Sequence, residues 1–78
     1  MAGASQVYAA EGTVRRLFPG EPRVEIEHGD IEGLMPAMRM EFEWAAEGLP
    51  TLRVGQRLAF GVRHEKGRYR VVRARLLP

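Results

Sequence analysis

The 78-residue sequence contains no cysteine. This absence excludes disulfides, thiolate zinc sites, iron–sulfur clusters and thiol nucleophiles together. No run of apolar residues is long enough to span a membrane, so we expect no membrane insertion. No glycine-rich phosphate loop, HExxH or GxSxG motif occurs, and we therefore expect that the protein is not an enzyme.

An excess of charge of one sign is also missing. Twelve basic and ten acidic residues leave a net charge of +2, and all basic residues except Lys66 are arginine. This balance is too weak to indicate nucleic-acid binding by itself. The first residues lack the basic and apolar segments of a signal peptide, although the mature form of an exported protein would look the same. The sequence therefore leaves the compartment open at this point.

The remaining composition is that of one small globular domain. We assign residues 1–6 to a flexible tail and residues 7–78 to the domain. Long helical patterns are absent, and short alternating runs broken by glycine and proline predict strands at 7–18, 23–28, 38–44, 56–64 and 69–77. Gly12 indicates a bulge or bend in the first strand, and residues 45–53 a loop with one helical turn.

Five short strands in so small a chain predict an all-β protein. A single open sheet would leave one hydrophobic face in water, whereas closure into a barrel buries that face. We therefore predict a small five-stranded OB-type β-barrel, with an SH3-like barrel as the second choice.

Methionine is clustered. The three methionines after Met1, namely Met35, Met38 and Met40, fall within six positions. Met38 and Met40 are two residues apart on a predicted strand, so their side chains point to the same face. His28 ends the preceding strand on its apolar face, and it meets both methionines at one end of the barrel if these strands are neighbours.

Two interpretations of this cluster stand side by side. Methionine on an apolar strand face usually fills gaps in a core, and spacing alone favours that interpretation. Thioether sulfur is also a soft, neutral ligand that suits Cu(I) and Ag(I) and binds Zn(II), Mg(II) or Ca(II) poorly, and imidazole is compatible with Cu(I). A methionine and histidine site without cysteine suits monovalent copper in an oxidising compartment.

The stretch from His28 to Phe42 resembles the CusF-like family of periplasmic copper- and silver-binding domains. The family pattern is a histidine on strand two, a loop, and then Trp-or-Met-Pro-x-Met-x-Met-x-Phe, which here reads MPAMRMEF over residues 35–42. The likeness extends from about Tyr8 to Leu77. It implies a five-stranded OB-type barrel, a Cu(I) or Ag(I) site, a periplasmic location and service to a heavy-metal efflux pump as a free metallochaperone or an adaptor domain.

By position, the resemblance makes His28, Met38 and Met40 the three metal ligands. In one branch of the family a tryptophan precedes the proline and caps the metal through a cation–π contact. Met35 stands at that place here, either as a fourth ligand or as a shield. Trp44 lies too far along the strand to be the cap, and we expect a core or rim role for it.

Other candidates are weaker. Asp30 and Glu32 are possible partners of the His28 ring, but surface carboxylates are the favoured interpretation, and His64 is expected to be a solvated turn residue. The rival function is an OB-fold module for single-stranded nucleic acid. It would use Tyr8, Phe18 and Tyr69 as stacking platforms and the arginines near strand five as a basic stripe, namely Arg63, Arg68, Arg70, Arg73 and Arg75. A docking domain without a ligand is a third interpretation. We expect a monomer that uses efflux-pump components, not nucleic acid, as partners.

Overall fold

The structure, a computed structural model, describes residues 6–46 and 51–78. It contains five strands: β1 (Tyr8–Leu17), β2 (Arg23–His28), β3 (Met38–Trp44), β4 (Arg57–Glu65) and β5 (Arg68–Leu76). Strands β2 and β3 match the sequence prediction residue for residue, and the others differ by one residue at each end. Nearly all of the predicted tail and residues 47–50 of the loop predicted to hold a helical turn lie outside the described residues.

The five strands close into a barrel in the order β1-β2-β3-β5-β4. All neighbours are antiparallel except β3 and β5, which run parallel and pair only at Glu43 with Arg70 and Trp44 with Val71. The prediction of an all-β, five-stranded OB-type barrel is confirmed. The structure has no helix long and apolar enough to cross a membrane among the residues that it describes.

Closure of the sheet places alternate residues inside the barrel, as the sequence alternation predicts. Every strand contributes to this core, and Ile31 joins it from the loop between β2 and β3. The buried apolar residues are Ala10, Val14, Val24, Ile26, Ile31, Phe42, Leu58, Phe60, Val62 and Val71. Among the described residues, His28 is the only polar or charged one in the buried class. A polar ring inside an apolar barrel needs a compensating interaction.

The turn between β4 and β5 has the geometry that its sequence favours. Lys66 and Gly67 both have positive φ values, 52° and 75°. Positive φ at both central residues is typical of the type I′ turn, whose twist matches that of the flanking strands. Glu65 and Arg68, on either side of these two residues, pair with each other, so β4 and β5 form a tight hairpin.

Gly12 lies in the middle of β1 without a bulge. It pairs in continuous register with His28 of β2 and Leu58 of β4, whereas the bulge in β1 falls between Val14 and Arg16. A Cβ built on Gly12 would lie 2.6 Å from the carbonyl oxygen of Glu27 and 2.9 Å from the Cα of His28. Glycine is needed here because the backbone of β2 approaches β1 too closely for a side chain.

We predict that Gly12→Ala destabilises the barrel by about 1–3 kcal/mol, since the new methyl group meets backbone atoms that cannot move aside without shifting β2. Urea denaturation measures this change. Gly29→Ala is the matched control, because a Cβ there meets nothing within 4 Å. Equal stability of the two variants would contradict the close approach of β1 and β2.

Candidate metal centre

Pairing of β2 with β3 brings His28 and the strand methionines together. His28 lies directly opposite Met38, and Ile26 lies opposite Met40. Directly paired residues share one face of the sheet, with Cα atoms about 4.5–5.5 Å apart. Met40 is the diagonal neighbour of His28 on the same face, within reach of a long side chain. The structure therefore places one imidazole and two thioethers on a single face at one end of the barrel.

Exposure increases across this group. His28 is 3% exposed, Met40 is half-buried and packs against the core, and Met38 is 47% exposed. Met38 is one of the three large hydrophobic residues in the described chain that are classed as exposed. The group thus extends from the interior of the barrel to solvent.

The two nitrogens of the His28 ring have different surroundings. Nδ1 lies 2.7 Å from the carbonyl oxygen of Gly29. A carbonyl oxygen only accepts hydrogen bonds, so this contact places the hydrogen on Nδ1 and leaves a lone pair on Nε2. Nε2 is buried and has no hydrogen-bond partner among the described residues. An unsatisfied buried acceptor is costly, and a bound ligand would account for it.

Aromatic packing fixes the plane of the same ring. The ring of His28 meets Phe42 edge to face, with centroids 5.6 Å apart and an interplanar angle of 71°. Phe42 in turn meets Phe60 in the same manner at 5.5 Å. The imidazole is therefore held between a backbone carbonyl and the aromatic core, in the way that partners outside a metal site commonly orient a ligand.

Met35 lies in the loop of residues 29–37, between the two strands. Ile31 and Met35 form a backbone pair, with N···O distances of 2.8 Å and 3.0 Å, and Gly33 turns the chain between them with φ +83°. Ile31 is buried, and Met35 is half-buried against the core. Backbone pairing thus fixes the position of Met35 within the connection that joins His28 to Met38.

In the described structure, Asp30 forms no hydrogen bond with the His28 ring. Its Oδ1 atom accepts a hydrogen bond from the backbone N–H of Ala37, at 2.8 Å. The partner of the ring is the Gly29 carbonyl, which no sequence pattern indicated because every residue carries a carbonyl. Glu32 is exposed, as expected for a surface carboxylate.

Trp44 lies away from the methionines, as expected. It is half-buried, packs against the core and donates its backbone N–H to the carbonyl of Pro22 at 2.7 Å. Six residues separate it from Met38 along β3, a distance of about 20 Å. It therefore belongs to the other end of the strand and not to the candidate metal centre.

Two of the three aromatic platforms of the nucleic-acid hypothesis, Tyr69 and Phe18, have a ring face covered. Exposed His64 stacks on Tyr69 with ring centroids 4.2 Å apart. The guanidinium of Arg23 lies 4.0 Å from the ring centroid of Phe18. A hydrogen bond to the Glu21 carboxylate raises the pKa of Arg23, so its charge remains beside the Phe18 ring. Each of these two rings already has a neighbour on one face, so neither is free on both faces for stacking with bases.

Three of the five arginines in the basic stripe of that hypothesis have carboxylate partners. Arg68 and Arg70 both approach Glu43, at 3.3 Å and 3.2 Å, and Arg63 lies 3.9 Å from Glu65. These arginines already have carboxylate partners within the protein. The described structure therefore favours the metal centre over a nucleic-acid surface.

We predict that His28 in the metal-free protein carries its hydrogen on Nδ1, because the Gly29 carbonyl accepts from that atom. Two-bond ¹H–¹⁵N correlation spectra of the ring distinguish the two neutral tautomers. Exposed His64 provides the internal comparison. An Nε2–H tautomer at His28 would contradict the assignment of Nε2 as the ring nitrogen with the free lone pair.

The chain is a small OB-type barrel with a buried imidazole on the same sheet face as two thioethers, which are donors of the kind that soft metal ions prefer. Residues 7–75 match the family model described as copper binding periplasmic protein CusF. The chain therefore belongs to the CusF family, as the sequence resemblance predicts. No curated protein sequence matches this chain significantly.

Solved structures agree with this assignment. The C-terminal domain of SilB from Cupriavidus metallidurans is 30% identical, with a TM-score of 0.80 over 95% of this chain and 92% of that domain. CusF from Escherichia coli with Ag(I) is 20% identical, with a TM-score of 0.87 and full coverage of both chains. Metal-free CusF from the same organism gives a TM-score of 0.86 at 21% identity, covering 100% of this chain and 96% of that one.

Proposed function

We propose that the protein binds one Cu(I) or Ag(I) ion as cargo, through Nε2 of His28 and the thioether sulfurs of Met38 and Met40. The observation that carries the proposal is the buried Nε2 atom of His28, which has no hydrogen-bond partner in the described chain. The strand register puts His28 on the same face as both methionines. Membership of a family described as copper-binding supports it, and so does the Ag(I)-bound relative of the same fold.

The donor set selects the metal by its chemistry. Thioether sulfur is soft and uncharged, and it prefers monovalent copper or silver to Zn(II), Mg(II) or Ca(II). The described residues also contain no group of three or more His, Cys, Asp or Glu side chains that would hold a harder ion. Methionine needs no deprotonation to bind a metal, and a neutral imidazole binds through its free nitrogen, so this donor set needs no anionic ligand.

The gradient of exposure suits carriage and not catalysis. The imidazole is held rigidly inside the barrel, whereas Met38 is half-exposed at its edge. A thioether of an incoming partner can replace Met38 while His28 and Met40 still hold the ion. The ion then passes by ligand substitution without being released free. We propose that the receiving partner is an adaptor or transporter of a heavy-metal efflux pump.

The family description and the ligand chemistry both suit the periplasm. The family is described as periplasmic, and a ligand set without cysteine resists the oxidation to which thiolates are prone. We propose that the domain works in the periplasm as a monomer. It would serve metal resistance either as a free metallochaperone or as part of a longer efflux adaptor.

Titration with Ag(I), followed by NMR, tests the site. We expect the methyl signals of Met38 and Met40 and the ring signals of His28 to shift and to saturate at about one equivalent. Mg(II) should leave them unchanged, because a hard ion does not bind thioethers. Arg73→Gln and Arg75→Gln are controls from the basic stripe and should bind as the wild type does. Absence of the shifts at one equivalent would refute the proposed site.

Met35 is proposed as a fourth contact to the ion. Its half-buried position, fixed by the pair with Ile31, places a third thioether in the loop that leads to Met38. Met35→Leu keeps the apolar volume and removes the sulfur, so we expect about a tenfold loss of Ag(I) affinity, or ~1.4 kcal/mol. Competition titration measures it. An affinity equal to that of the wild type would make Met35 a shield and not a ligand.

A further inference from the structure

The loop of residues 29–37 connects the proposed ligands, and three successive contacts close it. The first is the strand pair of His28 with Met38. Next is the hydrogen bond from the Ala37 N–H to the Asp30 carboxylate, at 2.8 Å. The third is the backbone pair of Ile31 with Met35. The loop is therefore a continuation of the β2–β3 hairpin, with a side chain in place of one backbone pair.

Pro36 explains why a side chain is used at this step. Proline has no backbone N–H, so it cannot donate a hydrogen bond across the loop. Among the described residues, the Asp30 contact is the one hydrogen bond across the loop between the strand pair and the Ile31–Met35 pair. Without it, only the Ile31–Met35 pair closes the loop, and the strand pair of His28 with Met38 loses its nearest support on that side.

We propose that Asp30 is a positioning residue of the metal centre, which acts by accepting the hydrogen bond from Ala37 and not by its negative charge. This proposal rests on the proposed function. The carboxylate holds the two ends of the loop together, so that His28 and Met38 stay opposite each other and Met35 stays within reach of the bound ion. A site arranged before the ion arrives binds more tightly, because less ordering is needed on binding.

Burial of Ile31 makes the contact effective. Ile31 is 1% exposed and is fixed in the core immediately after Asp30. Asp30 therefore starts from a fixed point of the chain, whereas Ala37 is exposed and directly precedes Met38. The hydrogen bond that the Ala37 N–H donates to Asp30 therefore ties Ala37 to this fixed point. Ala37 directly precedes β3, the strand that carries Met38 and Met40.

The hydrogen bond and the charge can be separated by substitution. In Asp30→Asn the amide oxygen still accepts from Ala37, but the charge is gone. In Asp30→Ala both are gone. Glu32 is the matched control, since it is an exposed carboxylate in the same loop that accepts no hydrogen bond in the described structure.

The experiment compares wild type, Asp30→Ala, Asp30→Asn and Glu32→Ala. It measures Ag(I) affinity by competition, the rate of Ag(I) release to a soluble thioether competitor, and the Met35 methyl signal of each metal-free protein. We expect Asp30→Ala to bind about tenfold more weakly, to release Ag(I) correspondingly faster and to show a shifted, averaged Met35 signal. Asp30→Asn and Glu32→Ala should resemble the wild type in all three measurements.

Two results would overturn the positioning role. If Asp30→Asn or Glu32→Ala is as weak as Asp30→Ala, the charge and not the hydrogen bond attracts the ion. If Asp30→Ala lowers only the unfolding temperature and leaves affinity, release and the Met35 signal unchanged, the contact serves stability alone. Failure of the wild type itself to bind Ag(I) is a different outcome, which refutes the proposed function and removes the basis of this proposal with it.

Discussion

The arrangement at this end of the barrel depends on the burial of one polar ring, that of His28. Burial of a polar group without a partner is costly, and here only one ring nitrogen is satisfied, by the Gly29 carbonyl. The close approach of β2 to Gly12 and the edge-to-face contact with Phe42 fix where the ring lies. The other ring nitrogen, Nε2, is buried without a hydrogen-bond partner among the described residues. The proposed metal binding rests on that free nitrogen.

The proposed carrier has to hold its ion and also give it up, and the two strand methionines differ in a way that suits these two demands. Met40 packs against the core beside the fixed imidazole, so its sulfur is held in place. Met38 lies at the start of the strand and is half-exposed, so its sulfur is the accessible one. Strand alternation alone produces this division, because residues two apart share a face but differ in their depth within the barrel.

Much of the fold and of the candidate metal centre could be predicted from the sequence, because the alternation of apolar and polar residues along a strand is a local signal. The bounds of β2 and β3 and the shared face of Met38 and Met40 follow from a period of two. The sequence does not indicate the bulge between Val14 and Arg16. Gly12 is needed for the close approach of β2, and the place where β1 bends depends on closure of the barrel, which is not a local signal. The Asp30–Ala37 contact could not be predicted either, because it depends on the path that the loop takes around buried Ile31.

The two interpretations of the methionine cluster, core packing and metal binding, are compatible in this fold. A carrier must remain folded when empty, unlike a zinc finger, which unfolds without its metal. Here the fully buried core consists of aliphatic and phenyl side chains from all five strands and the loop, and no proposed sulfur ligand belongs to it. Met40 and Met35 border that core and pack against it. Loss of the ion would therefore leave their apolar contacts in place, so the methionines can serve as packing in the empty protein and as ligands in the loaded one.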